Sequence, residues 1–352
     1  MKKPEPASRT NPGARLPGAG GTAALLLLIL VAGLVVYKST GALRQVDYVR
    51  ATGTLSSPAA LVPTSSTVLP IRVAEKSLDY LDAVWVALAF GILISAAVRA
   101  FTPVAALSRL FDRRPLQGQV VACALGAPLM LCSCCVAPIF SSVYQRSRRL
   151  APSLAIMLAA PTLNPAALLL TFLLFPSPVA WGRLWMGVTA VVAGTLGVAW
   201  LAGRIDAHDV PVSLDAGDQP HESSPRRFVR SCIDVSIRTV PIILVGVVVA
   251  VLVADRVSLE SSDLPSLRVW AIAMTAGIAL PLALPTFFEI PLAATLLAGG
   301  APAGVAAAFL FVGPAVNLPS LLTVGRATGW KAALTLAAMV WSVAFLGGLL
   351  VG

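Results

Sequence analysis

Three of the chain's five cysteines lie within four consecutive positions, in the run Cys132, Ser133, Cys134 and Cys135. Thiolates are soft ligands that select thiophilic ions, and sulfurs this close together can hold one ion jointly. The run, together with Ser133, therefore predicts a binding site for a soft species such as a trivalent arsenical or Cu(I). The alternative is that these cysteines are small apolar residues in a helix interface, and it stays open.

Glu289 is the carboxylate that lies well inside an apolar run, close to Pro285 and Pro291. An ionisable side chain within a membrane segment is costly and usually functional. Glu289 is therefore predicted to take and release a proton, or to partner a cation. A structural hydrogen bond from its protonated form is the alternative. Arg183, in contrast, is predicted to lie at the end of a span, where it can snorkel to the interface.

The elements that position these residues are predicted from composition. Charged residues make up 12% and hydrophobic residues 57% of the 352 positions, about half the charge content of a soluble domain. At least seven apolar runs have the length of a bilayer crossing, roughly 17 to 25 residues. The basic residues lie in short clusters between these runs without interleaved aromatic residues, which argues against nucleic acid as a partner. The fold class is therefore all-α, a polytopic membrane protein.

The chain is predicted to divide into six segments. Residues 1–21 form a cytoplasmic leader, 22–37 an N-terminal span, 38–80 a periplasmic loop, 81–202 and 239–352 two repeats, and 203–238 a charged cytoplasmic linker. A signal peptide is the alternative for residues 22–37, but no clear small-x-small cleavage site ends that run.

The two repeats match when the chain is shifted by 153 positions. Pro138 then falls on Pro291, Pro161 on Pro314 and Asn164 on Asn317. Helix breaks are expected at these prolines and at Pro285. The spans 151–175 and 304–324 are expected to follow the broken helices that contain Pro138 and Pro291. Asn164 and Asn317 either bind cargo or tie the broken helices together. Chance agreement between apolar segments is the alternative, but Pro and Asn are uncommon in spans.

Orientation follows from the arginines. Basic patches flank the stretch 118–144, and both lie on the cytoplasmic face only if that stretch is a re-entrant hairpin. Each repeat then holds three spans or near-spans and one broken, re-entrant helix hairpin, and the odd number of crossings inverts the second repeat relative to the first. A kinked span across 118–144 is the alternative.

The run from Cys132 to Pro138, the Pro-x-x-Asn segment at 161–164 and the Gly-Pro-Ala-Val-Asn segment at 313–317 resemble the bacterial predicted-permease family that includes organoarsenical efflux permeases. The resemblance covers roughly residues 80 to 350. It implies an integral permease of the inner membrane whose arsenical-exporting members use membrane cysteines, and Cys135 stands where Gly is usual in that motif.

The leading hypothesis is therefore secondary transport of a small molecule or ion. Efflux of a thiophilic metalloid or metal species is the form of it that the cysteines suggest. No nucleotide-binding loop or cofactor motif is present, so no cofactor is expected and the chain is not predicted to be an enzyme. A membrane thiol oxidoreductase and a non-transporting assembly protein are the alternatives.

Overall fold

The computed structural model describes residues 19–52, 69–101, 111, 115–205, 224–256, 268–284 and 287–352. Within these residues the regular structure is helical, and no β-strand occurs. The α-helices are α1 Ala19–Thr52, α2 Leu69–Phe101, α3 Pro115–Gly126, α4 Ser133–Ser147, α5 Leu150–Thr162, α6 Pro165–Leu174, α7 Ser177–Thr189, α8 Thr195–Ile205, α9 Ser224–Arg256, α10 Arg268–Ala279, α11 Glu289–Ala298, α12 Ala303–Ala315, α13 Leu318–Thr328 and α14 Trp330–Val351. A 3₁₀ turn, Ala127–Leu129, follows α3, and a π-helical turn, Ala190–Gly194, joins α7 to α8.

Four described helical stretches are long and apolar enough to cross a membrane: Leu25–Tyr48, Val84–Phe101, Ser177–Gly203 and Trp330–Val351. Two bent pairs also qualify if each counts as one span, which gives up to six. The all-α membrane class is therefore confirmed. Three further apolar helices of the described residues are shorter, at 10 to 17 residues: Leu116–Leu129, Arg268–Ala279 and Glu289–Ala298.

The helix bounds of the two halves match at an offset of 153 positions. Helices α3, α5, α6 and α7 begin at residues 115, 150, 165 and 177, and helices α10, α12, α13 and α14 begin at 268, 303, 318 and 330. Helices α2 and α9 correspond within two residues of the same offset. Each half thus repeats one order of elements: a long helix, two short helices, a bent pair and an apolar helix.

Helix extends into both segments that the sequence analysis assigns to loops. Helix α1 runs to Thr52, well beyond residue 37, and the hydroxyl of Ser39 donates to the carbonyl of Val35 at 2.6 Å. Such bonds within the helix let hydroxyl residues continue it. Helix α9 begins at Ser224, inside the expected linker, and its Asp234 pairs with Arg99 of α2 at 2.7 Å. Helix α2 begins at Leu69, inside the expected loop, and α8 continues to Ile205, inside the expected linker. Residues 1–18, 53–68 and 206–223 lie outside the described residues.

Some helix breaks lie away from the prolines at which they were expected. Pro138 is inside α4, which continues to Ser147 and packs against α2 and α5. The break in that region precedes the cysteines, at Met130, whose φ of 51° is left-handed. Pro291 lies in the first turn of α11, where its missing N–H is tolerated. Pro285 lies outside the described residues.

The stretches 151–175 and 304–324, each expected to be a span, are bent pairs of helices, and the bends follow the expected break residues Pro161 and Pro314. Helices α5 and α6 meet at 41°, and α12 and α13 meet at 50°. Pro161 and Pro314 lie in the last turn before each bend. Proline has no backbone N–H to donate, and its ring crowds the preceding turn, so it favours the end of a helix. The Pro-x-x-Asn segment is therefore itself the break.

Candidate functional site

An asparagine caps the second helix of each bent pair. The Oδ1 of Asn164 accepts hydrogen bonds from the backbone N–H of Ala166 at 3.0 Å and of Ala167 at 3.3 Å. The Oδ1 of Asn317 accepts from the N–H of Ser320 at 3.0 Å, and the Ser320 hydroxyl oxygen accepts from the N–H of Asn317 at 3.0 Å. A short side chain with an acceptor oxygen is what the first turn of a helix requires. The two asparagines thus hold the breaks in shape.

The other half of each amide group has no protein partner. Asn164 and Asn317 are both fully buried, and their Nδ2 atoms make no hydrogen bond in the described part of the chain. A buried donor without an acceptor is unfavourable by about 1–3 kcal/mol. Polar groups freed at a helix break inside a membrane protein are tolerated where protein or a water-filled cavity receives them. Capping is therefore shown for these residues, and cargo binding stays a prediction.

The cysteine cluster, defined as Cys132, Cys134 and Cys135, lies at the start of α4. The Sγ of Cys132 lies 3.1 Å from that of Cys134 and 2.7 Å from that of Cys135, and the remaining Sγ pair is 3.8 Å apart. All three side chains are buried, and their Sγ atoms lie within 4.8 Å of one another. Three sulfurs at this spacing could bind one soft ion together.

The position of Cys132 adds a feature that the sequence analysis overlooked. Cys132 is the N-cap residue of α4, and Cys135 lies three positions later, which is the CxxC spacing. Dithiols of that spacing at a helix N-terminus are reactive because the helix dipole stabilises a thiolate. The spacing itself was present in the sequence, but only the structure shows that a helix begins between the two thiols.

Helix α2 holds the cysteine helix in place through small residues. Gly91 faces the carbonyl oxygen of Cys135 so closely that a side chain at position 91 would overlap it. One turn further along α2, the Ser95 hydroxyl lies 2.9 Å from the carbonyl oxygen of Pro138 and 2.5 Å from the hydroxyl of Ser142. The close approach of α2 and α4 therefore depends on a glycine and on a buried hydroxyl pair.

Glu289 is not an isolated carboxyl group. Its Oε1 accepts a hydrogen bond from the Nη2 of Arg183 at 2.9 Å, and Arg183 also donates through Nη1 to the hydroxyl of Thr171 at 2.6 Å. The side chains of Arg183 and Glu289 are 1% and 2% exposed. The expectation that Arg183 snorkels at a span end is therefore wrong, because helix α7 turns it inward toward a buried counter-ion.

The structure thus divides the predicted site residues into separate groups. The cysteine cluster and Ser133 lie at the start of α4, which packs against α2, α5 and α13. Glu289 lies at the start of α11, which packs against α12 and α6 and pairs with Arg183 of α7. The missed residues are Arg183 and Thr171. An arginine in an apolar run between two spans was the available signal, because an unpaired charge there is costly.

Comparison with known proteins agrees with the membrane character of the chain. A family model described as a predicted permease matches residues 77–352. The UPF0718 protein YraQ of Escherichia coli (strain K12) is 28% identical over 284 residues, an alignment that covers 78% of this chain and 80% of the relative. No solved structure matches the chain. The matched region contains the cysteine cluster, both capping asparagines and the buried ion pair.

Proposed function

The chain belongs to the predicted-permease family, and from that premise we propose that it moves a small thiophilic solute across the bacterial inner membrane by secondary transport. Family membership and the apolar helices make it a multi-pass membrane protein and a transporter rather than an enzyme. The proposed cargo is inferred from the cysteine cluster, and the proposed pathway from the two bent helix pairs.

The proposed pathway runs between the two helix breaks. Both bent pairs interrupt the backbone hydrogen bonding of a span, and both carry a buried amide donor without a partner at the break, on Asn164 and Asn317. Broken helices in membranes occur where protein or a water-filled cavity receives the freed polar groups. In transporters built from repeats, such breaks supply the groups that bind cargo near the midplane. The matched helix bounds support this arrangement.

The observation that carries the cargo assignment is the cysteine cluster. Its three Sγ atoms are buried and close enough to share one ion, and no hard oxygen ligand is among them. Soft thiolate sets favour Cu(I) and related thiophilic species over Mg²⁺ or Ca²⁺. A trivalent arsenic or antimony species, which can bond three sulfurs, is the cargo that fits the cluster.

We further propose that the two repeats are inverted relative to each other. The basic residues on both sides of the stretch 118–144 are expected on the cytoplasmic face, and a hairpin formed by α3 and α4 would place them there. The same orientation puts the N-terminus of α9 inside and that of α10 outside. Two inverted repeats would let the permease open to each side in turn.

The proposed function is tested with the purified protein in lipid vesicles. Uptake is measured separately for trivalent arsenite, trivalent antimonite and Cu(I), with and without a pH gradient. We expect saturable uptake of at least one of them, abolished when the cysteine cluster is replaced by serine. The partly buried Cys123, changed to serine, is the matched control and should leave uptake intact. Unchanged uptake in the triple variant would make the cluster a packing feature.

A thiol oxidoreductase is the second candidate, and the CxxC spacing of Cys132 and Cys135 at the start of α4 favours it. Such an enzyme would oxidise its dithiol to a disulfide while reducing a disulfide substrate to two thiols. The same vesicles separate the two functions. Catalytic turnover of a small disulfide without cargo uptake would replace the permease proposal, whereas uptake without turnover supports it.

A further inference from the structure

We propose that the Arg183–Glu289 ion pair is a charge-controlled gate between the two halves of the permease, with Arg183 as a coupling residue in the transport cycle. Arg183 belongs to the first half and Glu289 to the second, 106 positions later. This inference deepens the proposed transport function and rests on it for the meaning of opening and closing.

The geometry of the Arg183–Glu289 pair is unfavourable for stabilising the folded protein. Only one oxygen of Glu289 is bonded, and both its Oε2 and the Nε of Arg183 are buried without a hydrogen-bond partner. A buried ion pair offsets its desolvation only when the remaining donors and acceptors are also satisfied. Opening this contact to water would hydrate both orphaned atoms, which favours the open state and offsets part of the lost attraction.

The internal repeat places a second set of three residues in the positions equivalent to this site. At the offset of 153 positions, Thr171, Arg183 and Glu289 correspond to Val324, Leu336 and Val136. Those three aliphatic side chains are fully buried and belong to the hydrophobic core, on helices α13, α14 and α4, of which α13 packs against both of the others.

At the equivalent place, where α13 of the second half packs against α4 of the first half and against α14, the three positions are aliphatic, so the helix arrangement does not require charge there. Replacing a buried ion pair by apolar residues of similar volume is commonly neutral or stabilising. The charges on α7 and α11 are therefore explained by function, and the aliphatic equivalent closes the opposite contact without charge.

Few other charges act on this pair. Helices α12 and α6, which pack against α11, carry no titratable side chain, and Glu289 is the charged residue of α11 itself. Arg183 is the charged residue of α7, and of the described helices packed against α7, only α14 brings a charge, Lys331 in its first turn. The charge state of the contact is thus set by Glu289 and Arg183.

A proton can switch this contact. Guanidinium remains protonated at physiological pH, so a proton taken up from water by the Glu289 carboxylate leaves Arg183 as an uncompensated buried cation. An uncompensated charge is strongly unfavourable in a dry interior, and hydration of Arg183 requires α7 and α11 to separate. Return of the proton to water on the other side restores the pair and closes the contact.

The gate is tested by amide hydrogen exchange on the full chain in lipid nanodiscs, with rates corrected for the intrinsic effect of pH. We expect protection in α6 and α11 to fall as pH is lowered, by up to about tenfold per pH unit for one linked proton. Protection at the aliphatic contact between α4 and α13 should change far less. Equal pH dependence of both contacts, or of neither, would overturn the proposal.

The matched variant copies the aliphatic residues of the equivalent contact: Thr171→Val, Arg183→Leu and Glu289→Val together. We expect it to insert, to melt at or above the temperature of the wild type, and to show no pH-dependent loss of protection in α6 and α11. Arg183→Leu alone should destabilise the protein, and adding the other two changes should rescue it. A triple variant that fails to insert, or that keeps the pH-dependent exchange, would overturn the gate.

Hydrogen exchange needs no cargo, so this test is separate from that of the permease. If the Arg183–Glu289 contact is pH-sensitive but the protein takes up none of arsenite, antimonite and Cu(I), the cargo proposal is refuted and the gate proposal stands. If the protein takes up arsenite but the contact does not respond to pH, the gate proposal is refuted and the cargo proposal stands.

Discussion

Replacing both capping asparagines by serine or by alanine separates two roles that Asn164 and Asn317 combine. Serine keeps an oxygen that can accept from the first turn of α6 or α13, whereas alanine does not. Both substitutions remove the buried Nδ2 that has no partner, and both leave a small space. The difference between the serine and alanine double variants therefore isolates the caps.

The expected magnitudes follow from the hydrogen bonds. Loss of an N-cap destabilises a protein by about 0.5–2 kcal/mol, and these caps lie in a fully buried setting where water cannot replace them. The alanine double variant should thus be about 2–4 kcal/mol less stable than the serine double variant. Against the wild type, removal of each unpartnered amide donor is favourable by about 1–3 kcal/mol. The small space that serine leaves in the core is unfavourable and offsets this gain, so the serine variant should unfold close to the wild type.

The assay combines unfolding in detergent micelles, followed by tryptophan fluorescence, with arsenite uptake in vesicles. We expect the serine double variant to be stable but deficient in uptake, because the amide donors proposed to meet cargo are gone. Equal stability of the two double variants would refute the capping energetics. Wild-type uptake by the serine variant would show that the amides hold the breaks and do not contact cargo.

Gly91→Ala should destabilise the protein by about 1–3 kcal/mol, because the new methyl group must push α2 away from α4. Gly197→Ala, where no atom lies within 4 Å, is the control, and equal melting temperatures would contradict the close packing. Ser95→Ala should lower stability by about 1–3 kcal/mol, since it removes two buried hydrogen bonds between α2 and α4, and an unchanged unfolding midpoint would exclude that role. With Cys123 and Cys232 changed to serine, an impermeant thiol reagent outside the cell should label Arg268→Cys and spare Arg226→Cys, and the opposite pattern would sink the inverted topology.

Several features of the chain are local in sequence and could therefore be predicted from it. Apolar runs of membrane length identify the class, because the bilayer requires them wherever they occur. The pairing of Pro161 with Asn164, and of Pro314 with Asn317, marks a helix end followed by a helix cap. The 153-position offset is visible without coordinates, and the helix bounds match at the same offset.

The sequence analysis placed the bends less well. Pro138 was expected to break its helix, yet α4 continues to Ser147 and the break falls at Met130. A proline removes one hydrogen bond, but whether the helix then ends depends on the packing around it. That packing comes from α2, which is distant in the sequence.

The amino-acid sequence by itself determined that the chain is a helical membrane protein of repeated design, with a clustered set of thiols and a carboxylate in apolar surroundings. Only the tertiary structure decided what those groups meet. Arg183 and Glu289 are 106 positions apart, and Ser95 and Pro138 are 43 apart, so no local pattern links them. Hydropathy and capping depend on neighbours along the chain, whereas the fate of a buried charge depends on which helices pack together.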